Sequence, residues 1–297
     1  MAEYRTRYAP SPTGAMHLGH ARTALVTWLR ARREAGRIVM RIEDLDPPRV
    51  REGSEESILR DHAWLGLDWD EGPFHQSTRT ARYEAALARL EAAGRVFPCT
   101  CTRKEVQAAT ASAPHGDDGP RYPGTCRERP SHPERDPAIR FRMDDGPGFV
   151  DALAGPYEAG RVGGDFIVRR SDGLFAYQLA VVVDDHEMGV TEVIRGDDLL
   201  PSTPRQIALY EALGWTPPSF LHVPLVLGED GERLAKRHGS VAVADYREAG
   251  WSPERLLGTL AHSLGLLPAP TPTTLPALLE RFSLDPLSPA PVTLPAP

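Results

Sequence analysis

The stretch Arg7–Arg22, RYAPSPTGAMHLGHAR, decides the fold. Pro10 and Pro12 restrict the backbone, and Gly14 permits a sharp turn before an amphipathic helix begins. His17 and His20 are three residues apart, which places them on one face of the first helical turn. The free N–H groups and the positive end of a helix suit a polyphosphate. Alone, the stretch fits a plain strand-to-helix turn capped at Thr13; the rest of the chain favours a nucleotide site.

Composition indicates an ordinary globular protein. The chain has 297 residues, 41% hydrophobic and 25% charged, with a net charge of −7. That charge argues against a surface covered by phosphate contacts, although a local arginine groove could still bind nucleic acid. The sequence shows no signal peptide and no apolar run of membrane-spanning length, so we expect a cytoplasmic protein, a monomer without membrane contacts.

The sequence on either side of this turn predicts a strand–helix–strand unit. Arg5–Ala9 has the pattern of a short strand, and apolar residues recur at helical spacing from Leu18 until Gly36. The following RIVMRI alternates like a half-buried strand. Such a unit predicts an α/β fold with a parallel sheet, whose ligands bind beyond the carboxyl ends of the strands. The turn and the acidic segment Glu43–Asp46 would meet at that edge.

The rest of the chain divides into helices, short strands and a second unit of the same kind. We expect helices over Ser54–Leu65 and Thr80–Gly94, with residues 66–77 between them as a loop. Short strands follow Ala138, with a hairpin turn at Ser171–Gly173. The run LAVVVDDHEMG is ambiguous between strand and helix. Further segments are a strand–helix–strand unit over Thr191–Leu227 and a helical tail after Val243.

The three cysteines predict a metal site. Cys99, Cys101 and Cys126 lie within 28 residues, inside a polar insertion. An odd number of cysteines without a secretion signal does not suggest a disulfide framework. A structural zinc ion prefers four ligands, and composition nominates His115 or His132 as the fourth.

Several ordered motifs resemble one enzyme family. The segment PSPTG followed by HLGH is similar to the "HIGH" signature of class I aminoacyl-tRNA synthetases, and RLAKR at 233–237 is similar to their "KMSKS" loop. The segments RIEDLD, VIRGDDLL, STPRQ and HVPLVL resemble glutamyl-tRNA synthetases in particular. The resemblance covers roughly residues 5–245.

The resemblance implies an ATP-dependent ligase that forms glutamyl-adenylate, with Mg²⁺ accompanying ATP. It assigns catalysis to His17, His20 and Lys236, and ATP binding to these three residues and Gly19. It assigns glutamate binding to a further set: Arg7, Tyr8, Ala9, Pro10, Ser11, Glu43, Tyr177 and Arg195. Arginine pairs with a carboxylate through two parallel hydrogen bonds, which suits Arg7 and Arg195, while Glu43 would hold the ammonium group.

The lysine loop departs from the family pattern at two positions. Arg233 stands where the first lysine is usual, and Ala235 where the serine is usual. Arginine keeps the charge, and alanine removes one hydroxyl hydrogen bond, worth about 0.5–1.5 kcal/mol. Because Lys236 is retained, we expect activity with altered loop dynamics.

For the metal, the resemblance implies one structural Zn²⁺ per chain, held by Cys99, Cys101, Tyr122 and Cys126 in the pattern Cys-x-Cys … Tyr-x3-Cys. For the fold, it implies a class I Rossmann-like parallel sheet over 1–245, split by a zinc-containing, acceptor-side insertion at 96–165. A short helical, Pro-rich C-terminal region at 246–297 would follow, with no anticodon-binding domain.

The short C-terminal region favours a truncated branch of the family. There the acceptor is queuosine-containing tRNA(Asp), and glutamate is esterified to queuosine in its anticodon. Two alternatives stay open: a minimal enzyme that charges tRNA(Glu), and a catalytically silent tRNA-binding paralogue.

Overall fold

The structure, a computed structural model, describes residues 3–110, 121–227, 242–287 and 290–294. Within these ranges no helix combines the length and the apolar character needed to cross a bilayer.

The first strand–helix–strand unit is confirmed. Strand β1 (Arg5–Tyr8) pairs in parallel with β2 (Arg37–Ile42), and α1 (Leu18–Arg33) connects them. Strand β2 is buried on both faces, because Val39 and Arg41 are as inaccessible as Ile38 and Met40. The predicted half-buried alternation was therefore wrong: charged Arg41 lies inside.

The helices of this half are confirmed, but the predicted loop over 66–77 was wrong. Helix α2 (Ser54–Leu65) and helix α3 (Thr80–Ala92) flank β3 (Glu71–His75), which pairs in parallel with β2. Strand β3 lies at the sheet edge with its middle three residues exposed, so it has no alternating apolar pattern. It also contains a Gly-Pro pair, which is more typical of a turn than of a strand.

The second unit is confirmed as well. Strands β9 (Glu192–Gly196) and β10 (Ser219–Val223) are parallel, and α6 (Thr203–Leu213) connects them. The ambiguous apolar run forms helix α5 (Tyr177–Glu187).

The two halves meet between β1 and β9. The amide of Thr191 donates to the carbonyl of Arg5 over 2.9 Å, and the Arg7 guanidinium donates to the carbonyl of Ile194 over 2.8 Å. The carboxyl ends of β1, β2 and β9 therefore open onto one edge.

The insertion contributes strands to two sheets. Its elements are β4 (Val96–Cys99), α4 (Arg103–Ala109), β5 (Ala138–Phe141), β6 (Phe149–Asp151), β7 (Gly155–Tyr157) and β8 (Phe166–Arg169). Strands β4, β5 and β8 form an antiparallel sheet, whereas β6 pairs with β10 in the sheet of the second unit. The predicted hairpin after β8 is reduced to one bridge between Arg169 and Phe175, because α5 begins at Tyr177.

The C-terminal helices share a core with α1. Leu256 and Leu260 are buried with Leu25 and Leu29 of α1. The remaining elements are β11 (Val226–Leu227), α7 (Val243–Glu248), α8 (Pro253–Ser263), α9 (Leu275–Glu280) and β12 (Val292–Thr293).

Candidate active site

A cavity of about 570 Å³ lies at the carboxyl ends of β1, β2 and β9, beside the start of α1. This volume is typical of a small-molecule site. The residues that the sequence nominates for glutamate and ATP line it together: Arg7, Tyr8, Ala9, Pro10, Ser11, His17, Gly19, His20, Glu43, Tyr177 and Arg195. Lys236, Arg233 and Ala235 lie outside the described residues.

The histidine turn sits at the start of α1. His17 is the N-cap residue, and its Nδ1 accepts the backbone N–H of His20 over 3.3 Å. The two rings stack with centroids 3.7 Å apart. Desolvation lowers the pKa of both rings. Repulsion from a protonated His17 lowers the pKa of His20 further. A neutral His17 therefore offers its Nε2–H group to the cavity, because its Nδ1 is already an acceptor.

Arg195 is a buried cation with neutral partners. Its guanidinium donates to Nε2 of His222 over 3.0 Å, to the Tyr177 hydroxyl over 3.3 Å and to the Thr203 hydroxyl over 2.8 Å. Among the described residues, no carboxylate pairs with it. Burial lowers the pKa of Arg195, so an anion in the cavity would relieve an uncompensated charge.

The opposite charge is supplied by Glu43, which follows β2. Its carboxylate accepts Nη2–H of Arg41 over 3.1 Å, and its backbone amide donates to the carbonyl of Pro10 over 2.9 Å. Burial raises the pKa of Glu43, while Arg41 and Arg7 act against that shift. A bound ammonium group would stabilise the carboxylate further.

Side chains below the cavity hold these groups in place. Arg41 donates to Asp185 over 2.6 Å, and Nε of Arg7 lies 3.4 Å from the same carboxylate. The sequence analysis missed Arg41 and Asp185, along with the lining residues His62, Arg49 and Asp198. The acidic pair in VVVDDH was the one signal in the sequence for the buried ion pair, since charges within an apolar run need partners of opposite charge.

The insertion brings together the predicted metal ligands. The three Sγ atoms of Cys99, Cys101 and Cys126 all lie within 4.8 Å of one another. Oη of Tyr122 lies 3.3 Å from Sγ of Cys99 and 3.4 Å from Sγ of Cys101. Four donor atoms thus converge, as a closed zinc site requires.

Neighbouring groups favour the thiolate form of Cys126. Desolvation opposes ionisation of Cys126, but hydrogen bonds from Ser131, Thr100 and Tyr122 lower its pKa to about 5. Nε of Arg140 donates to Sγ of Cys99 over 3.2 Å, and its guanidinium lies 4.0 Å from the centroid of the Tyr122 ring. Desolvation raises the pKa of Cys101 and of Tyr122, so these two ligands would need a bound cation to hold them in their anionic forms.

Of the two histidine candidates for the metal, His132 is not supported by the described geometry. The His132 ring faces Glu105 and Glu134, at 3.5 Å and 3.4 Å, rather than the sulfur cluster. His115 lies outside the described residues.

Comparison with known proteins gives the family. The sequence model of tRNA synthetases class I (E and Q), catalytic domain, matches residues 3–269. A glutamyl-Q tRNA(Asp) synthetase of Symbiobacterium thermophilum is 51% identical, over 98% of this chain and 95% of that protein. A glutamate–tRNA ligase of Halorhodospira halophila is 49% identical, over 88% of this chain and 57% of that protein. A glutamate–tRNA synthetase structure from Elizabethkingia anophelis aligns with a TM-score of 0.83 at 29% identity, over 99% of this chain and 68% of that one.

Fold and site together define an α/β protein with a small-molecule cavity at the carboxyl edge of a split parallel sheet. The chain belongs to the class I tRNA synthetases of the glutamate and glutamine group and is an ATP-dependent enzyme of that family.

Proposed function

We propose that the chain activates L-glutamate with ATP and transfers it to the queuosine of tRNA(Asp). The observation that carries the choice of amino acid is Arg195, a buried guanidinium with neutral partners, which lines the same cavity as Arg7 and Glu43. An amino acid with an anionic side chain and a cationic ammonium group complements these charges.

In the proposed first step, the glutamate α-carboxylate attacks the α-phosphorus of ATP and displaces pyrophosphate. Arg195 and Arg7 hold the side-chain carboxylate, with Tyr177 adding its hydroxyl, and Glu43 holds the ammonium group. His17 and His20 donate hydrogen bonds to phosphate oxygens beside the backbone of Gly19. Lys236 supplies a positive charge to the leaving pyrophosphate, as does the Mg²⁺ that accompanies ATP. Catalysis then consists of positioning and charge stabilisation.

The acceptor assignment is supported by the relative of 51% identity, named for glutamyl-Q tRNA(Asp), which aligns over nearly the full length of both chains. In the second step, a hydroxyl of the queuosine cyclopentene-diol attacks the glutamyl carbonyl carbon, and AMP leaves. RNA loops are bound by splayed and stacked bases, which an acidic protein can manage with a local arginine surface.

We also propose one structural zinc ion held by Cys99, Cys101, Tyr122 and Cys126, supported by the convergence of their donor atoms. It would fix the insertion at 96–165 within a catalytic domain at 1–245, with 246–297 as a short C-terminal region. We place the protein in the cytoplasm as a monomer.

The decisive experiment supplies ATP and labelled glutamate with tRNA from cells that make queuosine and from cells that do not. Label should enter only the queuosine-containing tRNA(Asp), and nuclease digestion should locate it in the anticodon fragment. Label at the 3′ end of tRNA(Glu) would instead establish the minimal charging enzyme. Absence of glutamate-dependent pyrophosphate exchange, with tRNA present, would establish the silent paralogue.

A further inference from the structure

A line of three buried side chains runs from the insertion to the glutamate pocket. Asp151 ends strand β6, His222 lies on β10, and Arg195 lies on β9. Oδ2 of Asp151 lies 2.6 Å from Nδ1 of His222, and Nε2 of His222 lies 3.0 Å from Nε of Arg195. All three residues are buried.

The hydrogen bonds fix the tautomer of His222. Arg195 has only donors on its guanidinium, so Nε2 of His222 must be the unprotonated nitrogen. The proton then sits on Nδ1, where it is donated to the Asp151 carboxylate. The other oxygen of Asp151 accepts the backbone amides of Leu153 and Ala154, at 3.0 Å and 2.8 Å. The carboxylate is thereby held toward the ring.

The surroundings of His222 exclude a role for the Asp–His pair as the base that activates a nucleophile. Among the described residues, the hydroxyl within hydrogen-bond reach of Nε2 of His222 belongs to Thr203, at 3.3 Å, and Thr203 is completely buried at 0% exposure. That hydroxyl already accepts from Nη2 of Arg195 over 2.8 Å. The imidazole therefore acts as the hydrogen-bond acceptor for Arg195.

We infer that Asp151 and His222 are positioning residues for Arg195, which set the orientation of the guanidinium that receives the substrate carboxylate. The inference deepens the proposed function and rests on glutamate as the substrate. Nε of Arg195 is engaged by His222 and Nη2 by Thr203, which leaves Nη1, on the Tyr177 side, for a ligand in the cavity. Through Asp151, the insertion contributes to the amino-acid pocket although it does not line it.

The first test compares two replacements of similar size. His222→Gln can keep an oxygen acceptor toward Arg195, whereas His222→Met cannot. In pyrophosphate exchange with tRNA present, the glutamate KM of the Met variant should exceed that of the Gln variant by about 10-fold or more, with similar ATP KM values. Equal glutamate KM values in the two variants would overturn the inference.

The second test inverts the tautomer. Asp151→Asn keeps an oxygen for the amides of Leu153 and Ala154 but presents NH₂ to Nδ1, which moves the ring proton to Nε2 against Arg195. ¹⁵N NMR of the histidine ring should report Nδ1–H in the unmodified protein and Nε2–H in the variant, whose glutamate KM should rise about 10- to 100-fold. An unchanged tautomer or KM would overturn the inference.

Asp165→Asn is the matched control, because it also removes a buried carboxylate of the insertion, one that pairs with Arg127 away from the cavity. Its glutamate KM should equal that of the unmodified protein. The NMR measurement needs no substrate, so it tests the positioning line separately. Failure of the unmodified protein in glutamate-dependent exchange would contradict the proposed function instead.

Discussion

The guanidinium of Arg41 donates to the carboxylate of Asp185 over 2.6 Å, inside the protein and directly beneath Glu43. Burial opposes the charge of Arg41, but Asp185, Glu43 and Asp184 outweigh it and raise its pKa. Strand β2 is thereby joined to helix α5 by an ion pair that also contacts Arg7. The floor of the pocket is a charge network, with apolar packing around it.

Asp185→Asn should destabilise the protein strongly, because it leaves Arg41 and Arg7 without their shared carboxylate. Breaking a buried pair costs about 3–5 kcal/mol. Urea unfolding measures this loss. The exposed Asp172, paired with Arg170 in a turn, provides the control, since Asp172→Asn should change stability by less than about 1 kcal/mol. Equal losses of stability in the two variants would mean that the buried ion pair contributes no more to stability than the exposed one.

Replacement by methionine should affect the stability of the protein very differently at two buried arginines. Arg41→Met strands the carboxylates around it and should lose about 3–5 kcal/mol of stability. Arg195→Met removes a charge that has only neutral partners, so the free energy of unfolding should change by no more than about 1 kcal/mol, in either direction. Glutamate-dependent exchange by Arg195→Met should nevertheless fall about 100-fold or more. Marked unfolding of that variant would show that Arg195 is structural.

Tyr122→Phe should lower the zinc content, whereas His132→Ala should leave one zinc per chain. Oη of Tyr122 lies beside the sulfurs of Cys99 and Cys101, whereas the His132 ring faces Glu105. Arg140→Met should weaken zinc retention against a chelator by about 10-fold, because outer hydrogen bonds to ligands tune metal affinity. Metal analysis after dialysis measures both effects, and full zinc in Tyr122→Phe would reopen the choice of fourth ligand.

Stability should fall as the pH drops from 6.5 toward 5, partly through His62. Nδ1 of His62 lies 2.9 Å from the Ile58 carbonyl, and burial lowers its pKa. Because the unfolded chain then binds the proton first, each unit of that difference removes about 1.4 kcal/mol once the pH is below both values. His62→Gln should flatten the dependence of urea unfolding on pH, and an identical slope would refute the assignment.

Lys236→Ala should reduce adenylate formation by about 10²- to 10³-fold, as expected when one charge donor to the transition state is removed. The only other lysine, Lys104, lies on the exposed helix α4 and gives the natural control. Pyrophosphate exchange compares the two variants. Near-normal exchange in Lys236→Ala would remove that lysine from the mechanism.

Sequence periodicity predicted the elements whose side chains follow a simple inside–outside rule, such as α1 and α2. It failed for β3, an exposed edge strand, and for Arg41, whose burial depends on Asp185 from a helix 144 residues later. The pocket residues came from the resemblance and lie together around the cavity. Asp151 and His222 escaped because neither has a local motif and their contact spans 71 residues.

The junction of Arg5 with Thr191 sets an order of events during synthesis. The pocket is incomplete until β9 has emerged, because β9 carries Arg195 and the residue before it, Thr191, bonds to Arg5 of β1. The four proposed zinc ligands end at Cys126, about 70 residues earlier, which corresponds to roughly 4–14 s of translation. A nascent chain therefore exposes the proposed metal ligands before its amino-acid pocket is complete.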